Sequence, residues 1–191
     1  MDATRAQLAI ADFNDRRAEI NNRTTAQHVL ISLNITAAGA IAGVFFTMDD
    51  PDRSLLLMLV PVCAALTMLW ANHARTVAHI GWYIRERIRP LVEPDKDGPL
   101  WRWEIDHNTF LDEHGNERTV HKWVTFIVPV MLTFAGPPLF ALLYTFEEMF
   151  VHGRLESRFG YTAAAVMAIY GGLVLLDALA PGLIRTSSGR R

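Results

Sequence analysis

The chain carries a single cysteine, Cys63, so it cannot close an internal disulfide, and the redox state of its compartment leaves no mark on it. It also lacks a Gly-x-Ser-x-Gly elbow, a phosphate-binding glycine loop, a glycine-rich nucleotide turn, a His-Glu-x-x-His pair and any Cys-x-x-Cys spacing. These absences remove the common templates for hydrolysis, nucleotide chemistry and zinc, so neither an enzyme activity nor a cofactor is expected. A basic stripe is missing too. The 18 Lys and Arg stand against 20 Asp and Glu, and the signs alternate along the polar segments, so no nucleic-acid partner is expected.

What the sequence has instead is long stretches without charge. Apolar residues, 51% of the 191, gather into four blocks at 29–48, 54–72, 123–146 and 161–184, and only the last contains a formal charge, Asp177. At about 1.5 Å per residue each block can cross a hydrocarbon layer of about 30 Å. A soluble fold would need four helices apolar on every face, in a chain too small to surround them all. The expectation is an all-α integral membrane protein with four transmembrane helices and helical extensions on the cytoplasmic side. The first block follows 28 mostly polar residues and exceeds a typical signal core, so it is read as a retained anchor.

Positive charge sets the expected orientation, because cytoplasmic flanks retain Lys and Arg. Fifteen of the 18 lie in segments 1–28, 73–122 and 185–191; the loops 49–53 and 147–160 hold only Arg53, Arg154 and Arg158 beside six acids. Both termini and the central segment are therefore expected in the cytoplasm. The corresponding organisation is a cytoplasmic N-terminal helix (1–28), a first transmembrane hairpin (29–72), a cytoplasmic helical region (73–122), a second hairpin (123–184) and a cytoplasmic tail (185–191).

Residues 1–28 contain no Pro or Gly and run into the first span without a break signal. The second span is likewise expected to leave the membrane unbroken, since Val77, Ile80, Ile84, Ile88 and Leu91 recur at steps of three and four beside Arg75, Arg85, Arg87 and Arg89. Pro90 is expected to end or kink that helix, and the N-terminal helix is the nearest partner for the stripe. Beyond the 93–98 turn, Trp101 and Trp103 beside Glu104 suit either the headgroup level or a cap on the cytoplasmic helices.

Two stretches carry a resemblance. Residues 13–27 (FNDRRAEINNRTTAQ) with the span LNITAAGAIAG at 33–43, and residues 79–90 (HIGWYIRERIRP) with the later Trp103-Glu104, resemble a family of small bacterial integral membrane proteins common in actinobacteria. The resemblance covers most of the chain and brings no activity or site with it. More distantly, the layout is similar to transmembrane effectors of anti-phage defence, of the SLATT and Pycsar types. That likeness implies a homo-oligomer that conducts ions or perturbs the bilayer when a cytoplasmic protein or nucleotide signal arrives, with Trp82, Tyr83, Arg85, Arg89, Trp101, Trp103 and Glu104 as signal or docking residues. The alternative is a non-conducting anchor that presents a cytoplasmic docking surface.

Within the spans, Gly39 and Gly43, flanked by Ser32, Thr36 and Ala40, suit close helix contact with another span or another subunit. Asn34 suits an interhelical hydrogen bond or a pore-lining amide. Gly136, Pro137 and Pro138 are expected to bend or interrupt the third span, as a packing kink or as a transport-type break. Asp177 lies roughly 12 Å along the helix from Arg185; an ion or proton role stands against simple satisfaction by interfacial water or Arg185. His107, His114 and His121 are spaced by sevens, but Asn108, Gly115 and Asn116 argue against one continuous helix, so no metal is expected.

Accessibility mapping of single-cysteine variants in intact membranes should label 1–28 and 73–122 from one side and 49–53 and 147–160 from the other. Labelling near Trp101 from the outer side would overturn the orientation.

Overall fold

The computed structural model describes residues 3–49, 51–92, 127–147 and 155–184. Trp101, Trp103, Glu104, His107, His114, His121 and the C-terminal tail lie outside the described residues. The described chain is all-helical: α1 (Ala3–Thr47), a 3-10 turn (Arg53–Met58), α2 (Leu59–Tyr83), a π turn (Ile84–Ile88), α3 (Arg89–Val92), α4 (Val128–Glu147) and α5 (Leu155–Ile184). Four helices are long and apolar enough to cross a membrane, over Gln7–Thr47, Arg53–Leu91, Val128–Phe146 and Gly160–Leu179. The last two apolar stretches span about 28–30 Å.

Helix α2 is the spine, packed by α1, α4 and α5 together. Its apolar stretch is 44% buried, whereas that of α1 is only 11% buried, so α1 leans on the bundle with one narrow face. The main core joins Leu30, Trp70, Val130, Phe134, Leu175 and Leu179, one or more from each helix. Gly171 of α5 faces Ala64 of α2, where an added Cβ would stand 3.6 Å away, an ordinary contact. Toward the other end Phe45, Leu56, Leu59 and Ala141 form a second cluster. There Asp52 caps the 3-10 turn by accepting from the Ser54 N–H at 2.9 Å, the Arg53 guanidinium lies 5.3 Å over Tyr144, and Tyr161 donates to the Leu142 carbonyl at 3.2 Å. Aromatic rings beside charge at a helix end are the usual furniture of a membrane–water boundary.

The polar halves of α1 and α2 continue as one antiparallel pair. Ile80, Ile84 and Ile88 are buried against Phe13, Ile20 and Tyr83, so α1 covers the stripe. Two details correct the sequence expectation. Helix does not stop at Pro90 but runs to Val92, and the irregularity comes one turn earlier, where the Arg89 N–H bonds to the Ile84 carbonyl five residues back. A proline ring crowds the preceding turn, and a widened turn there makes room for it. The π turn also keeps three isoleucines at steps of four in line, and it turns Leu91 out to 57% exposure.

The third span is likewise unbroken. Helix α4 carries Pro137 and Pro138 in its interior.

Ile84→Ala should lower the stability of the detergent-solubilised protein by about 2–4 kcal/mol, the usual loss for a buried large-to-small change. Leu91→Ala should stay within about 0.5 kcal/mol. Denaturant or thermal unfolding followed by circular dichroism would separate the two.

Candidate functional site

The sequence groups Asn34 with Ser32, Thr36, Gly39 and Gly43, but the helix divides them between two faces. Leu30, Asn34, Ala38, Ile41 and Phe45, at steps of four and three, form the face of α1 turned to the bundle, whereas Ser32, Thr36, Gly39, Ala40, Gly43 and Thr47 are exposed. On the open face each hydroxyl is satisfied within α1: Ser32 donates to the His28 carbonyl at 3.1 Å, Thr36 to Ser32 at 2.9 Å and Thr47 to Gly43 at 3.0 Å. A Cβ at Gly39 or Gly43 would meet no atom within 4 Å. That face is small and dry.

Asn34 is fully buried. It stands about 8 Å along α1 from Val29, where the apolar block begins. A bare amide at that depth is costly, and its Nδ2 donates to the backbone carbonyl of Thr133 on α4 at 2.5 Å. Thr133 is four residues before Pro137. In a regular helix its carbonyl would accept from the N–H at position 137, and proline has none. The side chain of one helix therefore takes the place of a missing main-chain donor in another. Such a bond is worth about 0.6–1.7 kcal/mol between membrane helices. The Cys63 thiol of α2 lies beside Asn34, whose Oδ1 has no hydrogen-bond donor among the described residues. The two buried threonine hydroxyls are closed within their own helices, Thr67 donating to Cys63 at 2.6 Å and Thr145 to Ala141 at 2.7 Å, whereas Trp70 Nε1 and His73 Nδ1 are buried without a hydrogen-bond partner among the described residues.

Pro138 is buried and lines an open-sided apolar groove of about 320 Å³ between α2, α4 and α5, with Ala135, Ala165, Ala168 and Gly172. Gly136 and Pro137 are half-buried, and a Cβ at Gly136 would meet nothing.

Arg185 lies outside the described residues, and Asp177 has a partner on another helix. Its Oδ2 accepts from Arg75 Nη2 at 2.5 Å, an ion pair that ties α5 to α2 where the apolar block of α2 has just ended. The pair is 45% and 71% exposed at Arg75 and Asp177, so it marks a boundary and not a buried ion site. Arg75 was legible only as one charge beside the isoleucine stripe.

Farther along the polar pair, Tyr83 donates to Asp12 at 3.1 Å, Asp12 also holds Arg16 at 3.2 Å, and the Arg16 guanidinium lies 5.5 Å over the Tyr83 ring. Glu19 accepts from Arg23 at 2.8 Å and from Arg16 at 3.4 Å. The Arg23 hydrogen bond, reinforced by charge, holds the Glu19 carboxyl below its ordinary value. Trp82 is 41% exposed with its ring 5.9 Å from that of His79, and Arg85 pairs with Glu86 at 3.3 Å. Of the candidate signal residues, Tyr83 bridges to α1, while Trp82 faces outward. Among the described residues no group of three His, Cys, Asp or Glu could hold a metal ion.

No family model, characterised protein sequence or solved structure matches the chain.

Neutralising Arg75 or Asp177 singly should cost no more than about 1 kcal/mol, because the pair is partly exposed. Asp177→Arg should cost more than Asp177→Asn, and Arg75→Asp added to it should recover most of the loss. A thermodynamic cycle in bicelles checks this, and independent, additive effects would refute the ion pair's role.

Proposed function

We propose that the chain is an oligomeric membrane protein that conducts ions or perturbs the bilayer when its polar α1–α2 pair is engaged on the cytoplasmic side. The observation that carries this reading is the continuity of α1. One uninterrupted helix, Ala3–Thr47, joins the Tyr83–Asp12–Arg16 cluster at its polar end to an unoccupied small-residue face at its apolar end. Ser32, Thr36, Gly39 and Gly43 on that face suit a helix of a second copy, because without a hydrophobic drive in lipid close contact depends on small side chains. A partner that shifts the polar end moves the apolar end as well, so a cytoplasmic protein or nucleotide could act on the membrane through α1. Exposed Trp82 is the group offered to it, with the half-buried Arg85 and Arg89 nearby.

The anchor reading is favoured by one feature: the packed interior of a single chain is apolar, its buried Asn34, Thr67 and Thr145 are held by hydrogen bonds, and its only acid within an apolar block sits at the edge. A conducting path would therefore run between copies, not through one.

Reconstitution into liposomes separates the readings. Cross-linking should capture a multimer, and Gly39→Leu with Gly43→Leu should weaken self-association by roughly 5- to 30-fold and reduce ion flux or dye release in parallel. A multimer that never permeabilises liposomes, with or without a cytosolic extract, would favour the anchor; a strict monomer in lipid would overturn both the assembly and the conduction.

A further inference from the structure

The Asn34–Thr133 bond has a feature that ordinary interhelical hydrogen bonds lack: its acceptor was vacated by a proline in its own helix. Most backbone carbonyls inside a membrane helix are already engaged by the N–H one turn on, so a side chain from a neighbour competes for a second lone pair. At Thr133 the first donor is absent because position 137 is proline. The carbonyl loses its helical donor and faces the fully buried amide of Asn34 on α1. Asn34 and Pro137 are thus two halves of one arrangement. Neither is explained alone: a lone buried Asn would be an unsatisfied amide, and a lone interior proline would leave an unsatisfied carbonyl.

We infer that Asn34 and Pro137 form a latch that seats α1 on α4, and that the Thr133 carbonyl is the catch. The isoleucine seam and the Tyr83–Asp12 bond hold the polar half of α1, and within the apolar block, where only a narrow apolar face packs, this bond sets which side of α1 meets α4. Releasing it frees the apolar half of α1 to roll without unfolding any helix. As a device for movement of α1 the latch rests on the function proposed above; as a bond it stands apart from that reading.

The two are tested separately on the full-length protein. The latch predicts a specific non-additivity. Asn34→Leu should lower the unfolding midpoint by about 2–5 °C with Pro137 present. In the Pro137→Ala background, where the N–H of residue 137 can serve Thr133 directly, the same substitution should change the midpoint by less than half as much. Equal losses in both backgrounds would overturn the latch. Should Asn34→Leu fold too poorly to measure, Asn34→Ser gives a shorter polar chain at the site. Isotope-edited infrared spectroscopy of a 13C=18O label at Thr133 then reads the carbonyl itself: its band should move to higher frequency in Asn34→Ser and return in Asn34→Ser/Pro137→Ala. An unmoved band would refute the bond. For the device, Asn34→Leu liposomes should leak without stimulus at several times the wild-type rate. A non-additive cycle with unchanged leak would keep the latch and reject its role in movement.

Discussion

A peptide carbonyl in hydrocarbon must find its donor inside the protein, and the arrangement of this bundle follows from that demand at one residue. Thr133 lost its helical donor to Pro137, and the bundle answers with Asn34. From that bond the other placements can be traced. Asn34 points inward, so Leu30, Ala38, Ile41 and Phe45 point inward with it, and the glycines and hydroxyls of α1 are left on the far side. α4 is held against α1 at Asn34, while α2 fills the space beneath and receives α5 where Gly171 faces Ala64.

The polar pair obeys different physics. Outside the apolar blocks water rewards burial, and the Ile80–Ile84–Ile88 seam against Phe13 and Ile20 is an ordinary hydrophobic contact between two helix faces. Tyr83 and Asp12 add a polar register mark to that seam, so the two helices cannot slide past each other without breaking it. The π turn serves the same seam by keeping the isoleucines aligned just before a proline. One end of α1 is thus positioned by the isoleucine seam and the other by the Asn34 amide together with Leu30 and Phe45 in their clusters.

How much of this could be read in advance depended on distance along the chain. The four spans were legible because an uncharged run of about 20 residues is a property of composition alone. The continuity of α1 was legible from the lack of any Pro or Gly in its polar part. Asn34 and Pro137 each stood out as polar or donor-free in an apolar block, yet nothing in a linear pattern pairs residues so far apart, and the same holds for Arg75 with Asp177. The split of Asn34 from Ser32 and Gly39 was present in the helical period but hidden by their closeness in sequence. The outward turn of Leu91 was not legible at all, since a one-residue change of hydrogen-bond register leaves the apolar spacing of the preceding stripe intact.

The length of α1 has a mechanical meaning. At 1.5 Å per residue, a rod pinned at Asn34 has an arm of roughly 46 Å reaching back to Ala3 and one of roughly 20 Å reaching on to Thr47. Such a lever is geared down: a sideways push of a given size on the long arm appears more than halved at the short tip, with the force multiplied in the same ratio. Weak contacts made far out on the long arm are thereby matched to the stiffer resistance of side chains packed around Phe45.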